Sequence, residues 1–164
     1  MGHPKRLVAL TVAILLCGCA SLRWSMTKAL RDPGEQLRSF PEEVWDEYDC
    51  EDQRRPFFIM EESALIPPRV KPKRDFNHRM IYAMCPLRPT EVVAGTLSTR
   101  IRFRGKPIVR DTMASYELRP GRWVVDAFVS LPEDAEPGVY AYEVQFESAT
   151  IEFEERLTFI VEPR

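Results

Sequence analysis

The sequence predicts a mainly β protein, an antiparallel two-sheet sandwich with one short helix near its N-terminus. Seven or eight short apolar segments follow residue 57 at intervals near ten residues, separated by Pro-, Gly- and Asp-containing turns. Thr96–Arg104 alternates strictly, with Leu97, Thr99, Ile101 and Phe103 on one side and Thr96, Ser98, Arg100, Arg102 and Arg104 on the other. That is the period of a half-buried strand. No stretch after residue 57 carries the spacing of a long helix.

Before that body lies a segment of different character. Lys5 and Arg6 are followed by an apolar run, Leu7–Leu16, broken only by Thr11. Ten residues of helix rise about 15 Å, half a bilayer core, so the run is too short to span a membrane and fits a secretory signal. Leu16-Cys17-Gly18-Cys19 resembles the lipobox of bacterial lipoproteins. A small residue precedes Cys19, whereas Leu16 precedes Cys17, so Cys19 is the acceptor. Cys17 departs from the Ala, Ser or Thr usual at its position, and an ordinary signal peptide is the alternative. The resemblance implies cleavage after Gly18 and lipid on Cys19. With Ala20 next, it also implies residence at the outer membrane, facing the periplasm. The expected organisation is residues 1–18 as signal peptide, 19–40 as a lipidated tether, and 41–164 as a single domain that includes a helix over about 41–50.

Removing residues 1–18 leaves 146 residues, enough for one domain. Losing Lys5 and Arg6 takes the formal charge from −2 to −4, which with an exported location argues against nucleic-acid binding. Two cysteines then remain, Cys50 and Cys85, and an oxidising compartment predicts a disulfide between them. Two buried free thiols are the alternative. A metal site is not expected, because His78 is the only histidine left and no ligands cluster.

Along the tether, Asp32-Pro33-Gly34 is a turn signal. Pro41 suits a first helical position, Glu42 and Glu43 suit a helix N-terminus, and Val44, Trp45 and Tyr48 share one side. Phe57–Met60 reads as a short strand. Pro67, Pro68 and Pro72 make residues 66–73 an edge or irregular extended segment, since proline cannot donate to a ladder. Strands are expected at His78–Cys85, Thr96–Arg104, Ile108–Asp111, Ser115–Leu118, Arg122–Leu131, Val139–Glu147 and Thr150–Val161. In the last three, Trp123, Val125, Ala127, Val129 and Leu131 share a face, as do Tyr140, Tyr142, Val144 and Phe146, and as do Ile151, Phe153, Leu157, Phe159 and Val161.

The stretch Leu131-Pro-Glu-Asp-Ala-Glu-Pro-Gly-Val-Tyr140 resembles the loop into the penultimate strand of immunoglobulin-like and fibronectin-type-III-like domains. The resemblance spans residues 92–162 and implies a tyrosine corner at Tyr140, its hydroxyl bonded to upstream backbone. No Cys…Trp…Cys spacing accompanies it, so the likeness is architectural and conveys no function.

The chemistry is sparse. The sequence has no nucleophile elbow, no paired-histidine zinc motif and no phosphate-cradling glycine loop, and no cofactor is expected. Asp75-Phe76-Asn77-His78-Arg79 is the densest segment. An envelope enzyme would use His78 with Asn77 or Asp75, or against a Cys85 thiolate. The structural alternative has His78 opening a strand with its polar end outward. Glu154 and Glu155 are adjacent on a strand and point to opposite faces, which is wrong for acid–base partners.

Two basic groups stand out: Arg100, Arg102, Arg104 and Lys106, then Arg69, Lys71, Lys73, Arg74 and Arg79. The first is a candidate surface for anions or an interaction partner. It is also a candidate to be covered by the acidic segment Glu42–Asp52. The reading favoured by the sequence is a non-catalytic binding or envelope-assembly module with an envelope protein as partner, working through an exposed face or an edge strand.

Overall fold

The computed structural model describes residues 34–164 apart from residue 89; the signal, Cys19 and most of the tether lie outside them. The elements are β1 (Glu35–Ser39), α1 (Pro41–Glu47), β2 (Phe57–Ile66), β3 (Arg69–Val70), β4 (Asp75–Cys85), β5 (Val93–Phe103), β6 (Lys106–Leu118), β7 (Gly121–Ser130), β8 (Gly138–Glu147) and β9 (Glu152–Val161). One sheet runs β1-β7-β4-β2 and the other β3-β9-β8-β5-β6. Every pairing is antiparallel except β3 with β9. The neighbours β4–β7 in one sheet and β5–β8–β9 in the other have the B–E and C–F–G arrangement of an immunoglobulin-like sandwich.

Four expectations need correction. Residues 35–39, read as the end of the tether, form β1 and pair with β7. Gly121 makes room for that strand: its φ is +95°, and a Cβ there would come within 2.7 Å of the Ser39 carbonyl. The helix stops at Glu47 rather than near Cys50. Asp49 is left-handed (φ 47°), the Cys50 amide donates to the Trp45 carbonyl at 3.0 Å, and the Asp49 amide donates to Asp46. These are the bonds of a Schellman stop, with Asp in the place glycine usually takes. The short strand at Phe57–Met60 continues to Ile66 because a bulge at Glu61 resets its register. The segments at 108–111 and 115–118 are one strand, β6, bent by irregularities near residues 108 and 114–115.

Residues 66–73 carry the chain between sheets. Pro67 and Pro68 lack the N–H that a ladder needs, so β2 ends there and β3 joins β9 in the opposite sheet. The core lies between the sheets. Phe76, Met80, Tyr82 and Met84 of β4 meet Tyr140, Tyr142, Val144 and Phe146 of β8, with Ile101, Leu118 and Phe159 around them. Each such side chain contributes about 1.5–3 kcal/mol on burial, so inward-facing rows hold the sheets together more than local propensity does. A second, smaller cluster joins Val44 and Cys50 to Ala83 and Cys85, with Trp45, Tyr48 and Phe57 around it, on the outer face of the four-stranded sheet.

Candidate functional site

The acidic segment does not cover the basic row of β5. It packs on the other sheet, across β7 and β4, and its cationic partner is Arg122. The Arg122 guanidinium donates to Glu61 at 2.8 Å, Glu47 at 2.7 Å and the Ser39 hydroxyl at 3.2 Å, while the Tyr48 hydroxyl donates to Glu61 at 2.7 Å. Glu61 is the bulged residue of β2, re-aimed toward β7 by the extra residue. Arg122 holds the Glu47 carboxyl below its usual pKa, and Glu47 and Glu61 raise that of Arg122. Cys50 and Cys85 form a disulfide, 35 residues apart in sequence, beside this network.

The basic row on β5 is largely answered by carboxylates on the same sheet and in the β7–β8 loop. Arg102 donates to Glu143 at 2.9 Å, Arg156 lies 3.8 Å from the same carboxylate, and Arg104 pairs with Glu136 at 3.4 Å over the Phe103 ring. Arg100 stands beside Glu143 and Arg110 in register, and Lys106 is exposed past the turn. The second basic group divides. Arg79 faces outward on β4 and binds Asp126 of β7 at 2.9 Å, whereas Lys71, Lys73 and Arg74 sit in the loop between β3 and β4.

His78 points inward, not outward. It is 1% exposed, with its Nε2 3.3 Å from the Ser63 hydroxyl and its ring against Tyr142. Alternation along β4 puts His78 on the face of Phe76, Met80 and Tyr82, and Asp75, Asn77 and Arg79 on the other. Asn77 donates to Asp126. Cys85 lies seven residues up the same strand, about 23 Å from His78, and is in the disulfide. The groups an enzyme was expected to use therefore do not converge.

His78, Thr99, Met113, Ala127 and Tyr142 line a cavity of about 40 Å³ between the sheets, room for little more than water. Burial raises the Tyr142 phenol well above its usual pKa. At the mouth, the Tyr116 hydroxyl donates to Glu35 at 3.1 Å, tying β6 to β1 across the two sheets. Among the described residues, no group of three His, Cys, Asp or Glu is placed to hold a metal ion, and no helix is long and apolar enough to cross a membrane.

Tyr140 is 2% exposed and donates to the Glu136 carbonyl at 2.8 Å, the bond of a tyrosine corner. Its role is to fix the loop ahead of β8.

The side on which the cavity opens is bounded by edges of both sheets. β6 is the outer strand of one. In the other, β1 covers β7 only at Arg122–Val125, and among the described residues no strand lies beside Ala127–Ser130 on the side away from β4. The sequence points to edge strands in general and not to this side, because which strands become edges depends on pairing order.

No family model matches the chain, and no curated protein does. Among solved structures it is similar to the Pseudomonas fluorescens alkylpurine DNA glycosylase AlkC bound to DNA with an abasic-site analogue. Identity is 10%, the TM-score is 0.47, and 65% of this chain and 30% of that one are covered. The sporulation control protein Spo0M from Bacillus subtilis gives 14% and 0.37, over 66% and 49%. The β-glucosidase from Listeria innocua in complex with isofagomine gives 12% and 0.46, over 68% and 17%. This chain thus spans less than half of each of those proteins, and likenesses so distant carry no inference about activity.

Proposed function

We propose that this chain is an envelope lipoprotein, held by lipid on Cys19 at the periplasmic face of the outer membrane. Its sandwich is a non-catalytic binding or assembly module that accepts an extended segment of an envelope protein along β6. The observation that supports binding is β6 itself, a 13-residue strand at the edge of its sheet. Between its two irregularities, Val109–Met113 runs in regular register with β5, with Arg110 and Thr112 exposed. A strand edge of this length offers backbone donors and acceptors to a partner, and alternate side chains select it. The anchor rests on Lys5, Arg6, the apolar run and Leu16–Cys19.

Photo-crosslinking residues placed at Arg110 and Thr112 in intact cells test the binding reading, with Glu154 on the far side of the same sheet as control. The expected result is a discrete adduct from the β6 positions and none from Glu154. Equal adducts from all three, or none from β6, would sink it. The anchor is tested by labelled palmitate, whose incorporation should be abolished by Cys19→Ala.

A further inference from the structure

The two ends of the sandwich differ in charge. Around α1 and the strand-connecting loops beside it, Glu42, Glu43, Asp46, Glu47, Asp49, Glu51 and Asp52 outnumber Arg54, Arg55, Arg88 and Arg119. The opposite end is built from the β3–β4 loop, the β5–β6 turn, the β7–β8 loop and the residues after β9. It carries Lys71, Lys73, Arg74, Arg104, Lys106 and Arg164, all exposed. Asp75, Glu133, Asp134, Glu136 and Glu162 neutralise much of this, Glu133 through Lys73 at 2.6 Å and Glu136 through Arg104 at 3.4 Å. Lys71, Arg74 and Lys106 make no ion pair among the described residues.

Two turns at this end place a cation where the backbone disfavours it. Lys71-Pro-Lys-Arg74 closes with the Arg74 amide on the Lys71 carbonyl at 3.1 Å, and its third residue, Lys73, has φ 67°. Proline second and a left-handed residue third make a type II turn, whose third position ordinarily takes glycine or asparagine. Arg104, with φ 50°, precedes Gly105, with φ 79°, in the β5–β6 turn, where Asn, Asp or Gly is ordinary. Holding a long side chain there costs stability in each case. Both turns spend that cost on a positive charge at the same end of the molecule. Lys71, Lys73, Arg164 and Glu133 also line an open depression there of about 280 Å³.

The direction of the chain relates this end to the anchor. β1 runs antiparallel to β7, with Glu35 opposite Val125 and Ser39 opposite Arg122. The N-terminal end of β1 therefore points toward the end at which β7 finishes, the basic one. Fifteen residues lie between Cys19 and Glu35, a reach of at most about 55 Å.

We infer that the basic end is a membrane-apposed surface, on which Lys71, Lys73, Arg74, Arg104, Lys106 and Arg164 engage the anionic headgroups of the bilayer that holds the anchor. The sandwich then stands on that end, and the acidic helix end points away from the membrane. This rests on the lipid-anchor reading. The tether is long enough for the basic end to reach the headgroups, which attract its cations within about one Debye length and repel the acidic end.

The test uses the full-length lipidated protein in vesicles, with a polarity-sensitive fluorophore at Asp134, on the basic end, or at Asp52, on the acidic end. Vesicles contain either 30% phosphatidylglycerol in phosphatidylethanolamine or phosphatidylcholine alone. The expected result is a blue-shifted Asp134 probe in anionic vesicles only, a Asp52 probe unchanged in both, and loss of the shift in Lys71→Glu/Arg74→Glu or in 0.5 M salt. An Asp134 probe indifferent to lipid charge would overturn the proposal, as would a shift that survives the double charge reversal. Mass spectrometry of the Cys19 peptide separates the two readings. Lipid present without a probe shift refutes the membrane-apposed end alone, and lipid absent refutes the anchor and the proposal that depends on it.

Discussion

The outer faces of the two sheets carry similar charges and met different fates. On the five-stranded sheet, Arg102 and Arg156 converge on Glu143 in a layer open to solvent. On the four-stranded sheet, Arg122 lies under α1, bound to carboxylates from the helix and from β2, with a disulfide beside it. Charge complementarity alone would have sent the acidic segment to either arginine. Apolar surface made the choice. Met80–Cys85 is buried at six consecutive positions, so that end of β4 needs cover on both faces. β5 alternates and needs cover on one. Val44, Trp45, Tyr48 and Cys50 supply the second cover, and Arg122 pairs with the acids that arrive with them.

The covalent link offers the strongest way to break this contrast. Replacing both cysteines (Cys50→Ala with Cys85→Ala) frees a 35-residue loop, and the chain-entropy model puts the loss near 4 kcal/mol. Urea denaturation under oxidising conditions should show a fall approaching that size. A loss below about 1 kcal/mol would mean that packing of α1, not the crosslink, holds the outer layer.

A smaller difference separates the two arginines. Arg122→Ala strips the cationic partner from Glu61, leaving it only the Tyr48 hydroxyl, lets water under the helix, and should cost about 2 kcal/mol. Arg102→Ala removes a more exposed arginine, 30% against 15% for Arg122, and Arg156 still reaches Glu143, so it should cost about 0.5–1 kcal/mol. Thermal or urea unfolding of both variants measures the gap. Equal losses would mean that the helix does not shield Arg122.

Much of this was legible in the sequence, and the failures have physical causes. Alternation revealed the inward rows of β5, β8 and β9, because each has one face in solvent and one in the core, and that of β7, whose outer face α1 covers only in part. β1 was missed because Glu35–Ser39 is short, polar and held at an edge, so no apolar period marks it. The inward direction of His78 was available, since Met80, Tyr82 and Met84 share its parity, but expecting an imidazole at a strand's start to face water overrode the pattern. The landing place of the acidic segment was available too, in the unbroken run Met80–Cys85. Charge sign distracted from it. The open side between β6 and β7 was not legible, because edges follow from strand order, which depends on long-range pairing.

The smallest predicted effect concerns the half of the four-stranded sheet that α1 leaves bare. There Asp126 accepts from Arg79 at 2.9 Å and from Asn77. Arg79 first, then Asn77, hold the Asp126 carboxyl below its ordinary pKa against the opposing effect of burial. A carboxyl with a lower pKa folded than unfolded stabilises the fold above its unfolded value, near 3.9, and loses that contribution as pH falls through the folded value. Asp126→Asn should therefore destabilise slightly at pH 7 and flatten the loss of stability below about pH 4, so that mutant and parent converge in acid. The pair is open to solvent, and the effect should stay under about 1 kcal/mol and shrink in salt. If the two pH–stability curves run parallel instead, Asp126 is not a source of acid sensitivity on this face, and the bare half of the sheet is held by β4–β7 pairing alone.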